Sequence, residues 1–69
     1  MKISARNQLA GQVKSIKSGP VDSEVTLVLP GGLEIVAVIT SASVKKLGLK
    51  KGSAALAIIK ASTVLLAVD

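Results

Sequence analysis

Leu33-Glu34-Ile35-Val36-Ala37-Val38-Ile39-Thr40-Ser41-Ala42-Ser43-Val44-Lys45-Lys46-Leu47-Gly48 changes its periodicity part-way along, and that change decides the fold. From Leu33 to Thr40 the residues are almost continuously apolar and mostly β-branched, which predicts a strand with both faces covered. From Thr40 the spacing becomes helical. Thr40 or Ser41 can cap, Val44 and Leu47 share a face, and Lys45 and Lys46 stand near the C-terminal end of the dipole. Gly48 is placed to take the left-handed conformation that ends a helix. A strand that runs directly into one or two turns of helix is therefore predicted.

Upstream, residues Gln8 to Lys17 alternate Leu9, Gly11, Val13, Ser15 against Gln8, Ala10, Gln12, Lys14, the pattern of a half-buried strand. Ile16 breaks the alternation and points to a bulge. Ser18-Gly19-Pro20 ends the strand, because Pro cannot donate to a ladder. Alternation resumes from Ser23 to Leu29, and Pro30-Gly31 supplies the two central residues of a type II turn. Downstream, Lys50-Lys51-Gly52 makes a turn before a fourth strand over Ala54 to Ile59. Ala61-Ser62-Thr63 separates it from a fifth over Val64 to Val68. Three meandering strands, a helix and two further strands match an all-β, five-stranded Greek-key barrel of the OB type, with the short helix between strands 3 and 4. An SH3-like barrel is the alternative, since strand count and length do not fix how a sheet closes.

A chain of 69 residues forms one domain, and a domain of that size buries only about 60% of the surface its unfolded chain exposes. Small domains supplement such a core with disulfides, a metal or oligomerisation. Cys and His are both absent, which leaves oligomerisation. The doubly apolar runs Leu33–Thr40, Ala54–Ile59 and Val64–Val68 are read accordingly as subunit contacts. Nine Lys and Arg against four Asp and Glu give a net charge of +5, so anionic partners are favoured. No apolar targeting segment follows Met1, and no apolar run is long enough to cross a bilayer. The expectation is a soluble cytoplasmic protein with no membrane association.

Candidate binding groups are scattered along the chain. Ser4 and Arg6 in Ser4-Ala5-Arg6-Asn7-Gln8 are two residues apart and would share a face if the segment were extended. Lys60 emerges at the end of the fourth strand, and Thr40 and Ser43 flank the first helical turn. Each has an ordinary reading: Arg6 as a surface charge, Lys60 as a solubilising strand end, the hydroxyls as caps. Together they are donors without a carboxylate, the acids being Asp22, Glu24, Glu34 and Asp69. Monohydrogen phosphate carries a proton and favours a site with an acceptor, whereas sulfate, molybdate and tungstate only accept.

Other function classes fit less well. Ser4 and Lys60 could pair as nucleophile and base, but without His or Cys the usual acid–base groups are missing, so an enzyme is not expected. An OB-type nucleic-acid-binding module is the main alternative to oxyanion binding, supported by charge and fold class. The complete absence of aromatic residues argues against it, because such barrels stack bases on exposed rings. A purely structural assembly protein would also use doubly apolar strands.

Ile3-Ser4-Ala5-Arg6-Asn7-Gln8-Leu9, Ile39-Thr40-Ser41-Ala42-Ser43-Val44, Leu47-Gly48-Leu49 and Ile58-Ile59-Lys60-Ala61-Ser62 closely resemble the molbindins, the Mop family of small molybdate-binding proteins. The resemblance covers the whole chain as one domain, 1–69, of the Mop or TOBE type. It implies an OB-type barrel that dimerises by exchanging strand pairings and assembles into a homohexamer, a trimer of dimers. It also implies a molybdate or tungstate ligand, no cofactor, and a role in storage, buffering or homeostasis. Carried over, Ser4, the Ala5 amide, Arg6, Lys60 and the Ala61 amide would come from one chain, with Thr40 and Ser43 from its neighbour. A second oxyanion site would use backbone groups at Gly19 and Val21, where the intervening Pro20 has no N–H.

Overall fold

In the computed structural model, which describes residues 1–69, the regular elements are β1 (Asn7–Lys17), β2 (Asp22–Val28), β3 (Glu34–Thr40), α1 (Ser41–Leu47) and β4 (Ala54–Ile59), followed by a 3₁₀ turn over Ala61–Thr63. The strands form one antiparallel sheet in the order β3-β2-β1-β4. The sheet curls into a half-barrel whose edges, β3 and β4, are not paired with each other.

The turns follow from the residues that make them. Gly32 N–H bonds the Leu29 carbonyl at 3.0 Å across Pro30 and Gly31, and Gly31 has φ 91°, a type II turn. Thr40 is the N-cap of α1, accepting from the Ser43 N–H at 3.0 Å. Gly48, at φ 65°, ends the helix, and Leu49 N–H closes back on the Val44 carbonyl at 3.1 Å. The bulge lies at Lys14: Val13 opposes Leu27 and Ser15 opposes Thr26, so Lys14 is the extra residue. Its insertion shifts the alternation, turning Ser15 to solvent and Ile16 inward beside Val13.

The core is thin. Val13, Val25, Leu27 and Ser23 are the only four fully buried residues of 69, with Ile16, Ile35, Ile39, Val44, Leu49, Ala55 and Ala57 packed around them. The continuous apolar run of β3 divides between two faces: Ile35, Ala37 and Ile39 turn inward, while Val36 and Val38 remain 59% and 66% exposed. Between the two free sheet edges lies an open cleft of about 660 Å³ with an entirely hydrophobic lining, including Val36, Ile39, Leu49, Leu56 and Ile58.

Two expectations are corrected. The fifth strand is not formed: residues 64–69 have no regular structure and are exposed, Leu65 and Leu66 by 92% and 94%. A strand exists only through its ladder partner, and neither sheet edge of the chain pairs with this segment. The N-terminal segment is not extended either. The chain bends at Ser4 and at Arg6, and β1 begins only at Asn7, so two-residue alternation does not govern Ser4 and Arg6. No helix is long and apolar enough to cross a membrane.

Candidate oxyanion site

The ladder between β1 and β4 places the first group of donors. Asn7 opposes Ile59, Gln8 opposes Ile58, and the register continues to Gln12 opposite Ala54. The ladder ends at Asn7 and Ile59, so the segment carrying Ser4, Ala5 and Arg6 and the segment carrying Lys60 and Ala61 both leave the sheet at this end. Arg6 and Lys60 are exposed, and neither forms a salt bridge. The amides of Ser4, Ala5, Arg6 and Ala61 make no backbone hydrogen bond. The only side-chain tie in the N-terminal segment comes from Gln8, whose Nε2 donates to the Ala5 carbonyl at 2.9 Å. Two cations, a hydroxyl and unpaired amides therefore share one end of the sheet, with no carboxylate among them.

Thr40 and Ser43 lie elsewhere. Thr40 opposes Asp22 at the start of β2, and Glu24 opposes Lys17 at the end of β1. These hydroxyls thus belong to the end of the sheet where β1 finishes, and Arg6 and Lys60 to the end where it starts. Ten strand steps separate the two ends, about 33 Å of chain, close to the 36 Å longest dimension of the molecule. One chain does not bring the two groups together.

The Thr40–Ser43 pair is ordered by its own bonds. Thr40 Oγ1 accepts from the Ser43 amide and donates to Ser43 Oγ at 2.7 Å. That leaves the Ser43 hydroxyl proton free to donate outward. Asp22 stands beside Thr40 across the ladder, so this half of the candidate set does have a carboxylate neighbour, which the spacing of acids along the chain does not reveal.

Gly19 and Val21 sit at the same end. Their carbonyls are occupied by one residue: Ser41 Oγ donates to the Gly19 carbonyl at 2.6 Å and Ser41 N–H to the Val21 carbonyl at 2.8 Å. Ser23 Oγ completes the link to Ser41 Oγ at 2.7 Å. The amides of Gly19 and Val21 make no backbone hydrogen bond. A Cβ on Gly19 would stand 2.4 Å from the Asp22 carbonyl oxygen, so this turn requires glycine for close approach. The sequence offers Ser41 only as an alternative cap, a place that Thr40 takes, and does not mark Ser23 as a hydrogen-bonding residue. The signal for Ser23 was there, a hydroxyl at the inward position of the Ser23, Val25, Leu27 series.

The TOBE domain model matches residues 3–66. The chain belongs to the TOBE domain family. Relatives matching over their full length agree with that membership. A probable molybdenum-pterin-binding protein of Haemophilus influenzae is 46% identical over 69 residues, covering 100% of both chains. Molybdenum-pterin-binding protein 1 of Clostridium pasteurianum is 44% identical over 66 residues, covering 96% of this chain and 97% of its own. Against the molybdenum transport protein ModE of Azotobacter vinelandii the identity is 53% over 68 residues, 99% of this chain, which spans only 25% of that longer protein. Among solved structures, MopII of Clostridium pasteurianum superposes with a TM-score of 0.92 at 42% identity, covering 97% of this chain and 100% of that one. The cytoplasmic molybdate-binding protein ModG with molybdate bound gives 0.97 at 52% identity, over 100% of this chain and 49% of the other.

Proposed function

We propose that this TOBE domain binds molybdate, or the similar tungstate, at sites shared between the subunits of a homo-oligomer, and that its task is molybdenum storage, buffering or homeostasis rather than catalysis. The observation that carries this reading is the register of the sheet. It supports the reading because the segments that hold Ser4, Ala5, Arg6, Lys60 and Ala61 leave the sheet beyond Asn7 and Ile59 while Thr40 and Ser43 begin α1 at the other end, so a site using all of them would need a second chain. The first group offers two cations, a hydroxyl and backbone amides with no carboxylate, which suits a fully ionised tetrahedral dianion. The thin core, the open apolar cleft and the exposed Val64–Val68 segment support assembly. In the proposed assembly that segment supplies the missing fifth strand of an OB-type barrel by pairing across subunits, and dimers gather into a hexamer in the cytoplasm. The Gly19 and Val21 amides are proposed as a second, backbone-built oxyanion site.

Calorimetric titration of the desalted protein with molybdate, with sulfate and phosphate as controls, tests the reading. Each charge-assisted bond contributes about 1.5–3 kcal/mol, so Arg6→Ala should weaken molybdate binding on the order of a hundredfold. Ser43→Ala removes one neutral donor, for about a fivefold loss. A folded oligomer that gives no heat with molybdate, or equal losses from the two variants, would overturn the proposal.

A further inference from the structure

The geometry points to Gln8 as a positioning residue for the anion-binding end, holding the Ser4-Ala5-Arg6 segment in the conformation that presents its donors. This rests on the proposed oxyanion reading and deepens it. The segment precedes β1, bends at Ser4 and at Arg6, and has no backbone hydrogen bond from the amides of Ser4, Ala5 or Arg6. Ladder pairing does not order it. What anchors it is the Gln8 carboxamide, donating from Nε2 to the Ala5 carbonyl at 2.9 Å.

The peptide group is planar and trans, so that one bond orients more than a single oxygen. Fixing the Ala5 carbonyl fixes the plane of the Ala5–Arg6 peptide. The Arg6 N–H then points to the side opposite Gln8, and the Cα positions of Ala5 and of Arg6, from which the guanidinium side chain departs, are set. Gln8 itself lies inside β1, opposite Ile58, so its own backbone is held by the ladder. The bond thus transfers the rigidity of the sheet one turn outward, to the donors. Gln8 touches no anion in this scheme. It acts by raising the fraction of the free protein already in the binding conformation, and apparent affinity falls in proportion to that fraction.

Gln8→Met keeps the length of the side chain and removes the donor, and Gln8→Ala removes both. A neutral exposed hydrogen bond of this kind shifts a local equilibrium by about five- to tenfold. Both variants should therefore raise the molybdate Kd by about two- to fivefold, less than the shift itself because the parent segment already populates the binding conformation half the time or more, with sedimentation behaviour and melting temperature unchanged. In the anion-free oligomer the ¹⁵N order parameter of the Arg6 amide should fall below about 0.6, while that of Leu9 in β1 stays near about 0.85. A residue that merely solubilised the surface would move neither quantity. Kd values within twofold of the parent, or an unchanged Arg6 order parameter in both variants, would overturn the assignment. If the unsubstituted protein takes up no molybdate, the oxyanion reading fails separately, and the Arg6 order parameter, measured without any ligand, still decides whether Gln8 holds the segment.

Discussion

Replacing Ser41 by alanine should destabilise the fold more than replacing Ser23, although Ser23 is the more deeply buried. Ser41 is central to a short relay: its hydroxyl donates to the Gly19 carbonyl at 2.6 Å and shares a 2.7 Å bond with the Ser23 hydroxyl, which is 3% exposed. Removing it breaks both bonds. The Gly19 carbonyl is only partly buried and can be rehydrated, but the Ser23 hydroxyl is left in the core without a partner. A stranded buried polar group costs about 1–3 kcal/mol, so Ser41→Ala should cost about 2–3 kcal/mol once the lost turn contact is added. Ser23→Ala leaves Ser41 bonded to Gly19 and removes the buried hydroxyl along with its own need for a partner, for about 1 kcal/mol or less. In the double variant nothing polar is stranded, so the two losses should fall short of additivity by about 1 kcal/mol. The chain has no Trp or Tyr, so unfolding is followed by far-ultraviolet circular dichroism in urea. Protomer concentration is held fixed, because assembly couples to stability. Strict additivity, or a larger loss from Ser23→Ala than from Ser41→Ala, would refute the relay.

Gly19→Ala should lose about 1–3 kcal/mol in the same assay, since its Cβ would meet the Asp22 carbonyl oxygen at 2.4 Å; a change under about 0.5 kcal/mol would show that the turn relaxes freely. Leu66→Asp, at a position 94% exposed in the single chain, should leave its secondary structure intact yet shift sedimentation towards smaller species. An oligomer of unchanged size would remove residues 64–68 from the proposed interface. Lys14→Ala breaks the Lys14–Glu34 ion pair, whose partners are 55% and 42% exposed, and should change stability by less than about 0.5 kcal/mol, the effect shrinking further in high salt.

How far the fold could be read from the chain depended on whether the cause of each element was local. The type II turn at Pro30-Gly31 and the helix stop at Gly48 were legible because backbone sterics decide them within a few residues. The bulge announced itself at Ile16, two residues beyond the inserted Lys14, because an extra residue reverses every later position of an alternating strand. Val64–Val68 failed for the converse reason. Its pattern shows that it needs a ladder partner but not where that partner is, and within one chain no strand edge takes it. Thr40 and Ser43 pose the same question in polar form. Their spacing was readable as a cap and their distance from Arg6 was not, because that distance is set by two successive antiparallel registers and depends on the whole sheet. Gln8 left no periodic trace at all, since its bond to Ala5 depends on a bend that precedes the strand. The features that escaped reading therefore fall into two kinds, polar contacts made by irregular backbone and groups whose partners lie off the chain. The proposed site draws on both, with Gln8 ordering donors at a bend and Thr40 and Ser43 arriving from a neighbour. A single chain can then hold every required residue type and still lack a complete site, so binding and assembly should be lost together when residues 64–68 are disrupted and separately when Arg6 is.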